Sequence, residues 1–379
     1  MKRTIQHAKE QLRIAVACMK TARPLGWHYW RVFRRGLRWY KCKGFTCEEM
    51  YYDGLLHPDF PSGQIDYFLS RKETTSIQLV LNPSHCSDML KNKILLYRYL
   101  EAAQLPHPKV FAIFDKTTAG VSSCNRMLQS RQDWIDYIRT ELPNDFIIKP
   151  AYGAKGMGVK HIQKHGNGLM DGKEAVDFSW LYDYMKSYPD SPAYIIQQRI
   201  INHPAIVEFT EKQALQTVRI ITYVNKRCEP DILYAAIKFV CGKNTTDHYL
   251  WGRSGNVFSF IDVQHGQVKP AYSTSDAGKP AEPQTMHPET QRRFDELNLP
   301  FWQETVQLAR CAAMLFLPVR CIGWDIAITE AGPSIVEGNI WWDPYNRLAY
   351  KQRIVDDLGC DPFQIRLSQK RRPNVSDFT

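Results

Sequence analysis

A chain of 379 residues that is 44% hydrophobic and 23% charged can bury a large core, which excludes wholesale disorder. Its ten cysteines show no Cys-x-x-Cys pair, no paired metal spacing and no secretory signal, so free structural thiols in a reducing compartment are expected. No apolar run approaches the roughly 18 residues that a membrane-spanning helix needs; the longest, Cys311 to Val319, includes Pro318.

The net charge of +10 is localised. Residues 1–44 hold twelve Lys or Arg and one acid, Glu10, while the rest of the chain holds 37 bases and 38 acids. This arm reads as basic helices broken at Pro24 and Gly44. At helical spacing Trp30, Phe33, Leu37 and Tyr40 share a face, flanked by Arg31, Arg34, Arg35, Arg38 and Lys41. Such a helix suits the headgroup region of an anionic membrane. The alternative is that the aromatics pack on the domain and the bases are solvated. A nucleic-acid role is disfavoured because no recognised nucleic-acid module accompanies the charge. The Trp content argues against a transit peptide.

Residues 61–90 are mixed, with a turn at Asn82-Pro83. An amphipathic helix is expected over 89–103, then a short strand over 109–114, a helix around 134–142 and a strand over 145–149. A glycine-rich loop follows, then a strand at 160–163, a helix near 174–186 and a strand at 194–198. Antiparallel strands are expected over 216–224 and 231–240, and a hairpin from 258–263 to 267–269. A helix over 300–317 precedes a last hairpin, and the tail is polar. The expected division is 1–85, 86–145, 146–205, 206–360 and 361–379.

Two motifs carry chemistry. The run Gly323-Trp324-Asp325-Ile326-Ala327-Ile328-Thr329, the turn Glu330-Ala331-Gly332-Pro333 and the run to Asn339 read as two strands. Glu337 and Asn339 share a face, because strand side chains alternate. Asp325 joins them if the connection is odd in length, giving three hard oxygen ligands of the kind Mg2+ (or Mn2+) prefers. The competing account is a solvated hairpin with stray acids. The second motif is Lys149 at the end of an apolar strand, followed by Tyr152-Gly153-Ala154-Lys155-Gly156-Met157-Gly158-Val159. Glycines admit backbone N–H groups to phosphate oxygens, and the lysines add positive charge. The loop has neither the P-loop order nor a dinucleotide fingerprint.

Lys93, Lys149, the glycine loop, Arg219 two residues from Thr217, and the acidic hairpin come in an order that resembles the ATP-grasp superfamily over roughly residues 90–350. The resemblance implies an α+β fold with two lobes gripping ATP between antiparallel sheets. It implies phosphate contacts from Lys93, Lys149 and the loop of Gly153, Lys155, Gly156 and Gly158, and adenine contacts from Gln197, Gln198 and Arg199; Thr217, on the face of Arg219, is a further candidate for cofactor binding. It further implies Mg2+ on Asp325, Glu337 and Asn339, and Arg219 steadying the transferred phosphoryl group. Many relatives carry a Glu at the adenine hinge where this chain has Gln197 and Gln198, which leaves the ribose contact to Glu208 or His203.

His287-Pro288, Leu299-Pro300-Phe301-Trp302 and the hairpin itself also resemble the sugar-transfer-associated ATP-grasp group of bacteria, which looks related to α-L-glutamate ligases. That resemblance implies carboxylate–amine ligation through an acyl phosphate, on a small-molecule or glycan carboxylate, in cell-surface polysaccharide assembly. It places the protein in the cytoplasm, at the inner face of the membrane. Candidate acceptor residues are Trp251, Arg253, Trp341, Trp342 and Arg347, with core packing expected for at least one of the last two Trp. Candidate general bases are His248 and Asp262. The alternatives are an ATP-grasp phosphotransferase and a non-catalytic nucleotide-binding scaffold at a membrane.

Overall fold

The computed structural model describes residues 2–118, 120–153, 156–249, 252–273, 283–343 and 348–371. The basic N-terminus is a packed helical module, not a free arm. Helices α1 (Lys2–Ala22), α2 (Tyr29–Lys43) and α3 (Cys47–Tyr52) enclose Ile14, Cys18, Val32, Trp39, Met50 and Leu56. The buried face of α2 is Val32, Gly36 and Trp39, one step round from the expected stripe. Gly36 sets this rotation: a Cβ there would stand 3.2 Å from Ile14 and 3.3 Å from Cys18. Phe33, Leu37 and Tyr40 are half-buried, and Trp30 is exposed.

Helices α4 (Arg71–Leu81), α5 (Asp88–Lys91) and α6 (Lys93–Ala102) lead into two antiparallel sheets. The first uses β1 (Val110–Asp115), β2 (Gly120–Ser122), β3 (Met127–Leu128), β4 (Asp145–Pro150), β5 (Lys160–His165), β6 (Gly168–Asp171), β7 (Glu174–Val176) and β8 (Ala193–Gln198). Their order is β3-β2-β1-β8-β4-β5-β6-β7, so the sheet draws on both 86–145 and 146–205. Helices α7 (Arg131–Thr140) and α8 (Phe178–Ser187) cover one face around Trp134, Phe146 and Tyr194.

Helix α9 (Pro204–Thr210) leads to the second sheet. Its strands are β9 (Val218–Val224), β10 (Pro230–Phe239), β11 (Val257–Ile261), β12 (Val268–Tyr272), β13 (Pro283–Gln284), β14 (Cys321–Thr329) and β15 (Gly332–Asn339), in the order β13-β12-β11-β10-β9-β14-β15. Alternation gives this sheet two different faces. Ile322, Trp324 and Ile326 join Val218 and Ile220 in the core under α6 and helix α10 (Trp302–Leu315). On the opposite face, Ile221, Tyr223 and Cys321 are covered by Ile77 and Leu81 of α4 and by Tyr350 and Ile354 of helix α11 (Leu348–Leu358). That cover stops short of Arg219 and Asp325, which line a cleft. The interval 361–379 begins with helix α12 (Pro362–Arg371), in which Phe363 is buried, so its first part is structured rather than a loose tail.

A buried charge network ties the module to the second lobe. Glu73, 1% exposed and reciprocally capping α4 with Ser70, receives Lys351 Nζ at 3.0 Å and Lys43 Nζ at 3.6 Å. Lys351 also meets Asp361 at 2.9 Å. Removing the carboxylate shared by two enclosed lysines leaves Lys351 to Asp361 and Lys43 to the exposed Asp66 at 3.8 Å, so part of the enclosed charge is uncompensated. Glu73→Ala is expected to cost about 3 kcal/mol of stability, read by urea unfolding; a loss under about 0.5 kcal/mol, the size of an ordinary surface change, would show the network is screened by water.

Candidate functional site

The β14–β15 connection is a two-residue turn, Glu330-Ala331, closed by the pair Thr329 and Gly332. Continued without a break, that register would set Asp325 opposite Val336 and turn Glu337 to the other face. A β-bulge intervenes: Ile326 pairs with Ile335, but Asp325 pairs with Glu337 and Gly323 with Asn339. Val336 is the extra residue, and it supplies the odd count that the three-oxygen reading required. Tyr97 holds the bulge by donating its hydroxyl to the Val336 carbonyl at 2.9 Å, with Gln197 Oε1 at 3.2 Å.

The row continues across the sheet. Arg219 on β9 lies beside Asp325 and binds both its oxygens, Nε to Oδ1 at 2.5 Å and Nη2 to Oδ2 at 2.8 Å. Asn339 Nδ2 donates to Asp325 Oδ2 at 3.2 Å. Burial would raise the Asp325 pKa, but the charges of Arg219 and Lys238 and these hydrogen bonds hold it below the usual carboxylate range. Lys238 on β10, 8% exposed, shares the face of Arg219, whose partner across the pair is Ala236. Thr217 donates to Asp247 at 2.8 Å. Beyond Lys238 the face turns aromatic, with Phe258 stacked on Tyr272 and edge-on to Tyr249.

From the other side come the lysines. Lys93 opens α6, capped by Asn92, and its Nζ lies 3.0 Å from the Gly153 carbonyl and 3.5 Å from Glu337. Lys149, 4% exposed at the end of β4, donates to Tyr97 Oη at 2.7 Å. Burial lowers its pKa to about 7, a shift that Glu337 opposes and Lys93 reinforces. Gly156 adopts φ +67°, and a Cβ there would stand 3.5 Å from Thr246, so the loop tip adjoins the second lobe. Gly158 has a packing role: a Cβ would sit 2.7 Å from the Tyr188 ring.

Of these groups, Lys149, Gly156, Arg219, Lys238, Asp325, Glu337 and Asn339 line one cleft of about 1530 Å³ between the sheets; Lys93, Tyr97, Gly153 and Gly158 are not in its lining. Gln197, Arg199, Thr217, His248 and Trp341 also line it. Other expectations are corrected. Gln198 is not in the lining, and its side chain accepts from Lys109 N at 3.3 Å. Asp262 closes the β11–β12 turn through the Gln264 and His265 amides, so it is no base for this cleft. Trp342 is core, packed on Tyr234 and Tyr350. Arg253 lies over the Tyr52 ring at 5.1 Å, outside the lining. His203 caps α9, and Glu208 lies on a separate surface depression, which removes both from the ribose question. Lys155, Trp251 and Arg347 lie outside the described residues.

Sequence reasoning missed Tyr97, Lys238 and the N-terminal wall of the cleft. Lys238 had a signal, a lone cation in the alternating run of β10; Tyr97 sat unmarked on an apolar helix face. The wall includes Tyr52, Asp53, Phe60, Phe68 and Arg71. Arg71 pairs with Asp343 at 3.0 Å. Burial, with Glu49 and Asp343 nearby, raises the Asp53 pKa to about 8 despite Arg71.

Residues 72–358 match the model of the sugar-transfer associated ATP-grasp family. The chain therefore belongs to that family and has the ATP-grasp fold. Comparison with curated proteins returns no significant match. Among solved structures the chain is similar to the D-alanine–D-alanine ligase of Coxiella burnetii, with 9% identity, TM-score 0.42, and 79% of this chain and 68% of that one covered. It is also similar to an N5-carboxyaminoimidazole synthase from Aspergillus clavatus, with 10% identity, TM-score 0.37 and 68% of this chain covered, though it spans only 46% of that protein.

Placing polyphosphate beside Lys149 favours its charged form. At pH 8, above a pKa of about 7, binding of a non-hydrolysable ATP analogue is expected to take up a proton. Calorimetry in buffers of different ionisation enthalpy reads this uptake, and Lys149→Met should abolish it; equal uptake in the variant would assign the proton elsewhere.

Proposed function

We propose that the protein is an ATP-dependent carboxylate–amine ligase that joins an amino acid or other amine to an acidic sugar through an acyl phosphate. The reading rests on one observation: Lys238, Arg219, Asp325, Glu337 and Asn339 share one sheet face of the cleft, Lys149 lines the same cleft, and Lys93 lies 3.5 Å from Glu337. Cations and hard oxygens so arranged suit a polyphosphate with its ion, and catalysis is then mainly position and electrostatics. The donor set fits Mg2+: Asp325 and Glu337 offer carboxylates, and Asn339, with Nδ2 engaged, keeps Oδ1. When bound, the ion would neutralise phosphate charge. Lys93 and Lys149 hold the phosphate tail, and Arg219 steadies the transferred group.

The remaining volume accepts the two substrates. Trp341, 45% exposed, and the Phe258–Tyr272 stack offer flat faces to a sugar ring. At the N-terminal wall Glu49, Asp53 and Asp343 gather round one guanidinium, Arg71, an excess of negative charge that suits the ammonium of the amine substrate. Cytoplasmic location at the inner membrane face, beside lipid-linked glycans, completes the reading.

Hydroxylamine traps acyl phosphates whatever the natural amine. With ATP, Mg2+ and glucuronate or galacturonate, hydroxamate is expected; phosphoryl sugar without hydroxamate would instead mark a phosphotransferase. Asp325→Ala and Glu337→Ala should each lower turnover at least about 100-fold with unchanged circular dichroism. Full activity in either would contradict the metal assignment. Asp53 must be ionised to hold an ammonium, so the KM for the amine should fall as pH rises from about 6 through about 8. Asp53→Asn should flatten that profile; an unchanged profile removes Asp53 from the amine site.

A further inference from the structure

The outer surface of the N-terminal module is neither a solvated basic helix nor a completed core. Ile14, Ala17 and Cys18 of α1 face inward. On the other side Leu12 (68% exposed), Val16 (39%) and Met19 (50%) form a stripe at spacings of four and three, one face of a helix. Leu25 in the following turn and Trp30 (67% exposed) at the start of α2 are exposed as well. Around them Lys9, Arg13, Lys20, Arg23, Arg31 and Arg34 are all exposed. The one acid of the region, Glu10, is turned inward: its carboxylate accepts from the Cys47 amide at 3.0 Å. These residues lie outside the family match, which begins at residue 72.

We propose that this face of α1 and the start of α2 docks on an anionic lipid bilayer, with Leu12, Val16, Met19 and Trp30 entering the headgroup layer and the surrounding bases meeting lipid phosphates. Charge complementarity selects the occupant. A second copy would bring six like charges against six, and a nucleic-acid backbone would match the bases but leave the apolar stripe without a partner. A bilayer satisfies both, because apolar groups sit below its plane of anionic charge. The contact differs from the one the sequence suggested: Phe33, Leu37 and Tyr40 belong partly to the module's own packing. The same module walls the cleft through Tyr52, Asp53, Phe60 and Arg71, so docking would hold the substrate wall beside the membrane surface. That consequence rests on the ligase reading; the docking does not.

The test is co-sedimentation of the full chain with phosphatidylcholine vesicles, with or without about 30 mol% phosphatidylglycerol. Binding is expected only with the anionic lipid, and it should weaken at about 0.5 M salt. Leu12→Ser/Val16→Ser/Met19→Ser, all exposed positions, should bind at least about tenfold more weakly, as should Arg13→Gln/Arg23→Gln/Arg31→Gln. Equal binding to neutral vesicles, no binding to anionic ones, or an apolar triple variant that binds like the wild type would overturn the proposal. So would tighter binding to oligo-dT than to vesicles, or a dimer that the serine variant breaks. Hydroxamate formation on soluble uronic acids should be unchanged in the serine variant; its absence from a vesicle-binding wild-type protein would strike the ligase reading alone.

Discussion

One inserted residue, Val336, decides whether Asp325, Glu337 and Asn339 share a face. Without it the β14–β15 hairpin would still form, still bury Trp324 and Ile326, and still offer acids to the cleft, but Asp325 and Glu337 would look to opposite faces. The bulge brings both carboxylates and Asn339 to one side. Its cost is a ladder carbonyl without a strand partner, which Tyr97 satisfies. Because the same hydroxyl receives Lys149, the acidic hairpin and the basic strand end are positioned by one side chain from a third element, α6. A buried lysine, a bulged carbonyl and a metal-type carboxylate pair are thereby locked into one geometry.

The second sheet is used twice on the same face. At the Tyr223 end it is covered by α4 and α11, and at the Arg219 end it is left open as the cleft floor. The N-terminal module completes the cleft from outside the family core, anchored by Lys43, Glu73 and Lys351. The charge excess of the chain is thus sorted by position. Lys9, Arg13, Lys20, Arg23, Arg31, Arg34, Arg38 and Lys41 face solvent, while the interior wall of the same module, near Asp53, is acidic.

Much of the fold was legible where physics is local. The alternation of β9 and β10, the apolar strand ending at Lys149 and the glycine loop after it all stand where periodicity and turn chemistry put them. The packing of Trp342 fits the expectation that one of the two tryptophans is core. What failed depended on tertiary context. The rotation of α2 was set by Gly36 meeting α1, a contact no helical-wheel argument contains. Asp262 looked like a free carboxylate, although Asp-x-x-x-Gly before a strand is also turn chemistry, and the turn won. The odd count between Asp325 and Glu337 could be stated only as a condition, and the bulge that supplies it was not foreseen, since the turn Glu330-Ala331 is even and the insertion leaves no residue type of its own. The cleft wall from residues 48–71 was invisible because helices distant in sequence are brought to the site by packing alone.

The central claim is that the bulged hairpin gathers three side-chain oxygens around one divalent ion beside the nucleotide's phosphates. Anomalous scattering from Mn2+ in crystals grown with a non-hydrolysable ATP analogue reads this directly. The account predicts a peak shared by Asp325, Glu337 and Asn339, with phosphate oxygens completing the shell. A peak away from all three, with the analogue bound in the cleft, would contradict it.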